Sequence, residues 1–394
     1  MRLRRDTIAL TIVLALLTAL GPLATDMYLP SLPAITTEFA ASVEQTQLTL
    51  SLFLVSFALG QLIYGPISDR IGRRPLLLAA IGIVLAADLA CTIAGDMFVL
   101  VAARMLQGVA TAGPIVLARS IVRDLYEGRR AGQELSRMGS IMGLVPAIAP
   151  FFGALIHEAV GWRMTFGVQM LLAAAIGLCV LLALPETIGA RRRMDRLTPA
   201  GFLRNYAGLI AVRAYRVHVA VACSIFAGLF TFISTSSHVL QSGYGLSEIA
   251  FGISFGLVGL AYVTGTLIGT RLVGRADTDH GVRVGARVML PAAALMLVLA
   301  LSGGSHAAEV VGPMLLFMVG LGIAFPQAIA GAMMPFPDRA GAASSLLGFA
   351  QMLTGATVGA FAAWAYDGTA VPLAAIIFAT SALTLLLSRQ TRAQ

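Results

Sequence analysis

The chain contains no lysine, few charges of either sign, three cysteines and two tryptophans. Charged residues make up 12% of its 394 residues, whereas soluble domains carry about 25%. That scarcity excludes an ordinary soluble protein. A hydrophobic content of 58% excludes disorder as well. The cysteines, Cys91, Cys179 and Cys223, are odd in number, widely spaced and set in apolar stretches. Neither a disulfide framework nor a metal site fits them. No phosphate loop, zinc spacing or nucleophile triad is present, so the sequence calls for no metal, cofactor or enzymatic activity. The formal charge of +8 comes entirely from arginine over acid. These arginines lie in short tracts between apolar stretches, the pattern of membrane topology and not of a nucleic-acid-binding face.

What the chain has in abundance is apolar runs of membrane-spanning length, about 20 residues each. Twelve spans are expected, near residues 7–30, 46–67, 76–95, 97–118, 135–157, 163–184, 217–240, 249–271, 284–302, 310–332, 342–366 and 371–388. The basic start is that of an uncleaved first helix, because the apolar run after it is too long for a signal peptide. Placing the N-terminus in the cytoplasm puts Arg70, Arg73, Arg74, Arg119, Arg123, Arg129, Arg130 and Arg137 inside, together with the basic run from Arg191 to Arg216. Only Arg163 then falls on the opposite face, and Arg104 falls within a span. This one-sidedness predicts an even number of spans with both termini cytoplasmic. The expected architecture is an all-α membrane protein of twelve transmembrane helices in two pseudo-symmetric halves. Residues 1–184 form the N-terminal half, 185–216 a cytoplasmic linker and 217–394 the C-terminal half. An Arg-Ala-Gly start common to the fifth and eleventh spans, at Arg130 and Arg339, supports the repeat. Parallel halves with a substrate site between them are a transporter architecture.

Charged side chains inside spans carry the chemistry, because each costs about 2.5–3.5 kcal/mol to insert at a helix centre. Asp26 lies between Pro22 and Pro30, where a kinked helix would let a carboxylate face a cavity and exchange protons. Arg104 lies at a similar depth in the fourth span, within reach of Asp26 for a switching pair. Asp88, near the outer end of the third span, reads as a tolerated edge acid, and the residues leave open which aspartate carries the proton. In the stretch from Gly65 to Pro75, Gly65 and Gly72 permit tight turns and close approach. Asp69, Arg70, Arg73 and Arg74 there form a charge cluster suited to a cytoplasmic latch. Pro146, Pro150 and Gly153 predict an irregular fifth helix, and Gly139/Gly143, Gly252/Gly256, Gly265/Gly269 and Gly355/Gly359 have the spacing of close helix packing. Tyr28, Phe53, Phe57, Gln61, Gln107, Phe230 and Tyr262 are candidates to line an apolar substrate cavity.

These motifs resemble a known family. The segment from Gly65 to Pro75 resembles the second-to-third loop signature of the major facilitator superfamily. Asp26-Met-Tyr-Leu-Pro30, Gln47-Leu-Thr-Leu-Ser51 and Gly60-Gln61 resemble the bicyclomycin- and chloramphenicol-resistance (Bcr/CflA) group of drug:proton antiporters. Arg104-Met-Leu-Gln-Gly108 is similar to the fourth-helix motif whose arginine is implicated in proton coupling, and Pro185-Glu-Thr187 to the end of the sixth helix. The antiporter motif of the fifth helix departs from its usual form, reading Ala149-Pro150 and Gly153-Ala154. The resemblance implies drug:proton antiport across the bacterial inner membrane by a monomer. Asp26 and Arg104 would couple protons, Asp69 and Arg73 would hold the cytoplasmic gate, and the substrate would be a small amphipathic drug of the amphenicol or bicyclomycin kind. Export of a natural metabolite such as an amino acid or sugar would use the same residues.

Overall fold

The computed structural model describes residues 7–126, 128–188, 206–273, 277–336 and 339–391. The basic N-terminus, most of the linker arginines and Arg275 lie outside them, as do the side chains of Arg129, Gly139 and Gly143. The helices of the first unit are α1 (Ile8–Asp26), the unit-1 part of α3 (Val43–Ile71), α4 (Arg73–Thr92), α5 (Met97–Leu125), α6 (Gly128–Val160) and α7 (Arg163–Ala183). The second unit holds α2 (Leu32–Glu38), then α8 (Arg213–Ser237), α9 (Glu248–Val273), α10 (Thr278–Leu301), α11 (Ala308–Met333), α12 (Ala340–Trp364) and α13 (Val371–Gln390). Contacts divide the chain into Met1–Tyr28 with Leu48–Leu197, and Leu29–Gln47 with Thr198–Gln394.

Eleven of the described helical stretches are long and apolar enough to cross a membrane. The remaining expected span corresponds to α6, whose apolar portion is Val145–Val160. The protein is therefore a multi-pass, all-helical membrane protein. Helices satisfy their own backbone groups, which the hydrocarbon interior requires.

The prolines lie within helices, and one expected loop is helical. Pro22 does not interrupt α1, which runs unbroken to Asp26. The break comes just after it, where a turn and the short 3-10 helix Leu29–Ser31 lead into α2. Pro146 and Pro150 likewise lie inside a continuous α6. The segment expected as a loop from Gly65 is helix up to Ile71, and the connection to α4 shrinks to Gly72 alone. Gly72 has φ 105°, a conformation that side chains rarely adopt. Gly65 serves neither a turn nor close packing: a Cβ there would meet only Val116 Cγ1 at 4.0 Å.

Close packing falls on other glycines. A Cβ at Gly108 would collide with Ser56 Oγ and the Phe53 carbonyl oxygen, so α5 lies directly on the α3 backbone. In the second unit, a Cβ at Gly265 would fall on the Val319 carbonyl oxygen and one at Gly269 would lie 3.1 Å from Ile323 Cα, so α9 is seated on α11. Hydrogen bonds tie α8 to α13 there, through Ser224 Oγ to the Thr380 carbonyl (2.9 Å) and Thr384 Oγ1 to Ser224 Oγ (3.0 Å). Small residues and hydroxyls of this kind hold membrane helices together.

Gly153 sets the position of the α1 terminus. Its missing Cβ would fall on the Met27 carbonyl oxygen. Around that contact, Ala19 and Met27 form a small core with Val145 and Ala149 of α6. Gly153→Ala is expected to drive α6 off this backbone at an overpacking cost of about 1–3 kcal/mol. Thermal unfolding of the purified protein in detergent should show the loss. A variant as stable as wild type would contradict the packing described.

Candidate functional site

The first unit buries its chemistry around Arg104, which is fully enclosed in α5. Its Nη1 donates to the Ala24 carbonyl (2.8 Å) and to Gln107 Oε1, and its Nε donates to the Thr49 carbonyl (3.3 Å). The guanidinium carbon is 4.4 Å from the ring centres of both Tyr28 and Phe53, and 5.7 Å from that of Phe166. A buried cation gains from carbonyls and aromatic faces together. Tyr28 is fixed in turn by its hydroxyl, 3.1 Å from Thr49 Oγ1. Phe57 extends the aromatic wall, its ring centre 5.9 Å from that of Phe53 and its edge against Gly21.

Asp26 and Arg104 do not pair. Asp26 is buried at the last position of α1, and among the described residues its carboxylate has one hydrogen-bond donor, Thr25 Oγ1 at 2.9 Å. That hydroxyl also lies 2.9 Å from the Pro22 carbonyl, so its single proton is shared between two acceptors. The carboxylate linked to Arg104 is Asp88 on α4, through an amide. Gln107 Nε2 donates to Asp88 Oδ1, and Gln107 Oε1 accepts from Arg104. Gln107 Nε2 also reaches Gln169 Oε1 (3.2 Å), and Gln169 Nε2 donates to the Leu23 carbonyl (3.3 Å). Sequence reasoning placed Asp88 at the helix edge and Gln107 in an apolar lining. Both are instead at the centre of a polar core. Gln169, a lone amide in the apolar α7, was missed, and its isolation was the available signal.

Of the other candidate lining residues, Gln61 is half-buried on α3. Phe230 and Tyr262 belong to the second unit. There Phe230 stacks on Phe226, which stacks on Phe325, with ring centres 5.8 and 6.2 Å apart. Two histidines given no role from sequence are also buried in that unit. His218 lies between the Ala214 carbonyl (2.9 Å) and Asp279 Oδ1 (3.0 Å). His238 opens the π-helix His238–Gly243, with Nε2 3.1 Å from Thr36 Oγ1.

The charge cluster at the α3–α4 junction is assembled around Arg73. Its guanidinium meets Asp69 Oδ1 (2.6 Å), Asp124 Oδ2 (2.9 Å) and Ser68 Oγ. Arg74 turns away and donates to the Leu181 carbonyl (2.6 Å), and Arg70 occupies the last turn of α3. Two acids that sequence reasoning did not assign to the cluster complete it. Asp124 closes the ion pair. Glu186 caps α4, accepting from the backbone N–H groups of Arg73 (3.0 Å) and Arg74 (3.2 Å), and from those of Thr187 and Ile188. Burial opposes the charge on Glu186, but these four N–H groups outweigh it and hold its carboxyl below the ordinary glutamate range. The cap is therefore complete above that range and is lost as the pH falls through the lowered value.

Comparison with known proteins agrees with this geometry. The sequence profile of the Major Facilitator Superfamily matches residues 14–360. The chain is 33% identical to the uncharacterized MFS-type transporter YdgK of Bacillus subtilis, over 96% of this chain and 94% of that one. It is 29% identical to multidrug resistance protein D of Escherichia coli, over 88% and 86%. To the bicyclomycin resistance protein homolog of Haemophilus influenzae it is 27% identical over the full length of both. Its fold is similar to that of the Escherichia coli xylose transporter XylE, with a TM-score of 0.76 over 97% of each chain at 15% identity. With its profile match, its all-helical membrane fold and relatives that are transporters, the chain belongs to the Major Facilitator Superfamily.

Proposed function

We propose that the protein expels drugs across the bacterial inner membrane in exchange for protons. The observation that carries this reading is Asp26, a buried carboxylate without a cation partner among the described residues, placed where a membrane helix ends. Acids embedded in this way mark proton paths. Asp26 lies two residues after the Ala24 carbonyl that holds Arg104, so movement of the α1 end and movement of the guanidinium are coupled. Relatives named for multidrug and bicyclomycin resistance support drugs as the cargo.

In this reading Asp26 alternates between a proton and the substrate-bound state, and Arg104 assists the switch. The aromatic and amide side chains Tyr28, Phe53, Phe57 and Gln107 of the N-terminal half, residues 1–184, contact an amphenicol- or bicyclomycin-like molecule. Asp69 and Arg73, with Asp124 and Glu186, hold the cytoplasmic ends of α3 and α4 together in one state and release them in the other. The excess of arginine on one side sets both termini in the cytoplasm, and the chain works as a monomer. Only a difference in affinity between the two states drives the cycle.

Drug accumulation in a pump-deficient bacterial host tests the assignment. Expression is expected to lower accumulated chloramphenicol or bicyclomycin several-fold, and an uncoupler is expected to restore it. Unchanged accumulation of the whole panel, with transport of a labelled amino acid or sugar instead, would replace the drug reading with metabolite export.

A further inference from the structure

Four helices of the first unit meet at Asp88. It lies on α4 and is 1% exposed. One carboxylate oxygen, Oδ1, is taken by Gln107; the other, Oδ2, is buried and has no hydrogen-bond partner. Arg104 Nη2, at the far end of the same row, is also buried and without a partner. A narrow cleft lined by Asp88 lies between Leu23 and Ala24 of α1, Gln107 and Thr111 of α5 and Gln169 of α7. It has space on the order of one water molecule. Among the described residues, the other titratable or charged groups in this neighbourhood are Arg104 of α5, Cys91 of α4 and Tyr28 just beyond α1, whereas α7 presents the neutral Gln169 and Leu172.

The orientation of the Gln107 amide is dictated from both sides. A guanidinium has only donors, so the amide oxygen must face Arg104. An ionised carboxylate has only acceptors, so the amide nitrogen must face Asp88. Carboxylate, amide and guanidinium thus form one polarised row with a charge-assisted bond at each end. The charge on Asp88 is balanced by Arg104 through Gln107, and Arg104 in turn grips α1 at Ala24, two residues before Asp26.

We infer that Asp88 is a second proton-exchanging group of the transport cycle, and that Gln107 relays its charge state to Arg104 and the end of α1. A proton arriving from the cleft adds to Oδ2. It takes the carboxyl from −1 to 0, and it leaves from the same oxygen. No other covalent bond changes, and Gln107 carries no proton itself. With Asp88 neutral, the bond from Gln107 loses its charge assistance, about half its strength. Arg104 then has no counter-charge in its row, and its hold on the Ala24 carbonyl is free to change. With Asp88 ionised the row is restored. This role rests on the proton-exchange reading above and adds a site to it: proton and drug alternate at Asp26, a second proton is taken up at Asp88, and Arg104 is common to both.

The test uses the purified full-length protein and needs no drug. Infrared difference spectra are recorded as the pH is stepped from about 5 to about 8, the range of physiological proton switches. Wild type is expected to show a carboxyl C=O band that Asp88→Asn removes and Asp88→Glu keeps at a shifted frequency. Asp88→Glu guards against misfolding as the cause of the loss. Gln107→Leu is expected to move the midpoint of that band by about one pH unit, a tenfold change in proton affinity. A purely structural Asp88 would give spectra identical in wild type and Asp88→Asn, and that result overturns the inference. An unmoved midpoint in Gln107→Leu overturns the relay. If the Asp88 band is present but wild-type vesicles exchange no protons for drug, the antiport reading fails on its own.

Discussion

Arg104→Lys is expected to yield a protein that inserts but unfolds at a markedly lower temperature and exports no drug. Lysine keeps the charge, but its ammonium is a compact point on a flexible stem and cannot reproduce the planar fork. The fork of Arg104 bonds the Ala24 carbonyl, the Thr49 carbonyl and Gln107 at once while lying against Tyr28 and Phe53. Bonds to a charged group contribute about 1.5–3 kcal/mol each in water-soluble proteins. Measured hydrogen bonds between membrane helices average about 0.6 kcal/mol, and a desolvated cation–π contact adds about 2 kcal/mol. The smaller hydrogen-bond figure applies here, because a chain unfolded within the membrane also finds partners. Losing most of the set costs about 3–4 kcal/mol on that basis. Arg104→Met separates the two roles. It fills much of the same volume, so it is expected to recover part of the stability while leaving export abolished. Thermal unfolding in detergent, paired with drug accumulation in cells, reads both. Export retained in Arg104→Lys would remove Arg104 from the cycle.

Asp26→Asn is expected to uncouple the protein without unfolding it. Asparagine has the same shape, and its amide oxygen still accepts from Thr25. It no longer takes up a proton, so drug can bind but no driving force is transmitted. Each proton crossing about 100 mV supplies about 2.3 kcal/mol. That free energy sustains a roughly fiftyfold drug gradient, and the variant is expected to lose all of it and only equilibrate drug across the membrane. Counterflow of labelled chloramphenicol measures the equilibration that should remain. A variant that still builds a gradient would place the coupling elsewhere.

Much of this was legible in the sequence because the bilayer leaves few choices. A chain that must satisfy its backbone in hydrocarbon becomes helices of set length, so the apolar runs give the spans. Arg104 and Asp26 stood out because embedded charges are rare. Their partners did not, because pairing depends on which faces of different helices meet. Asp26 and Arg104 were expected at similar depth, yet Arg104 bonds the Ala24 carbonyl and leaves the nearby carboxylate to Thr25. Gln107 looked like pocket lining until α4 and α7 brought Asp88 and Gln169 to it. Proline did not end these helices: Pro22, Pro146 and Pro150 all sit within continuous helices, since neighbours in a membrane bundle can satisfy the carbonyl that a proline frees. Glycine was misassigned in one motif, with Gly72 making the sharp connection and Gly65 serving only as a helix residue.

The central claim is that protons move when drug moves. Inverted membrane vesicles with an acid interior test it most directly, with a pH-sensitive dye reporting the gradient as amphenicols, bicyclomycin and cationic dyes are added in turn. At least one compound is expected to dissipate the gradient in vesicles carrying the wild-type protein and to leave it intact in those carrying Asp26→Asn. A gradient that survives every compound, or that falls equally in both, would contradict proton-coupled drug export through Asp26.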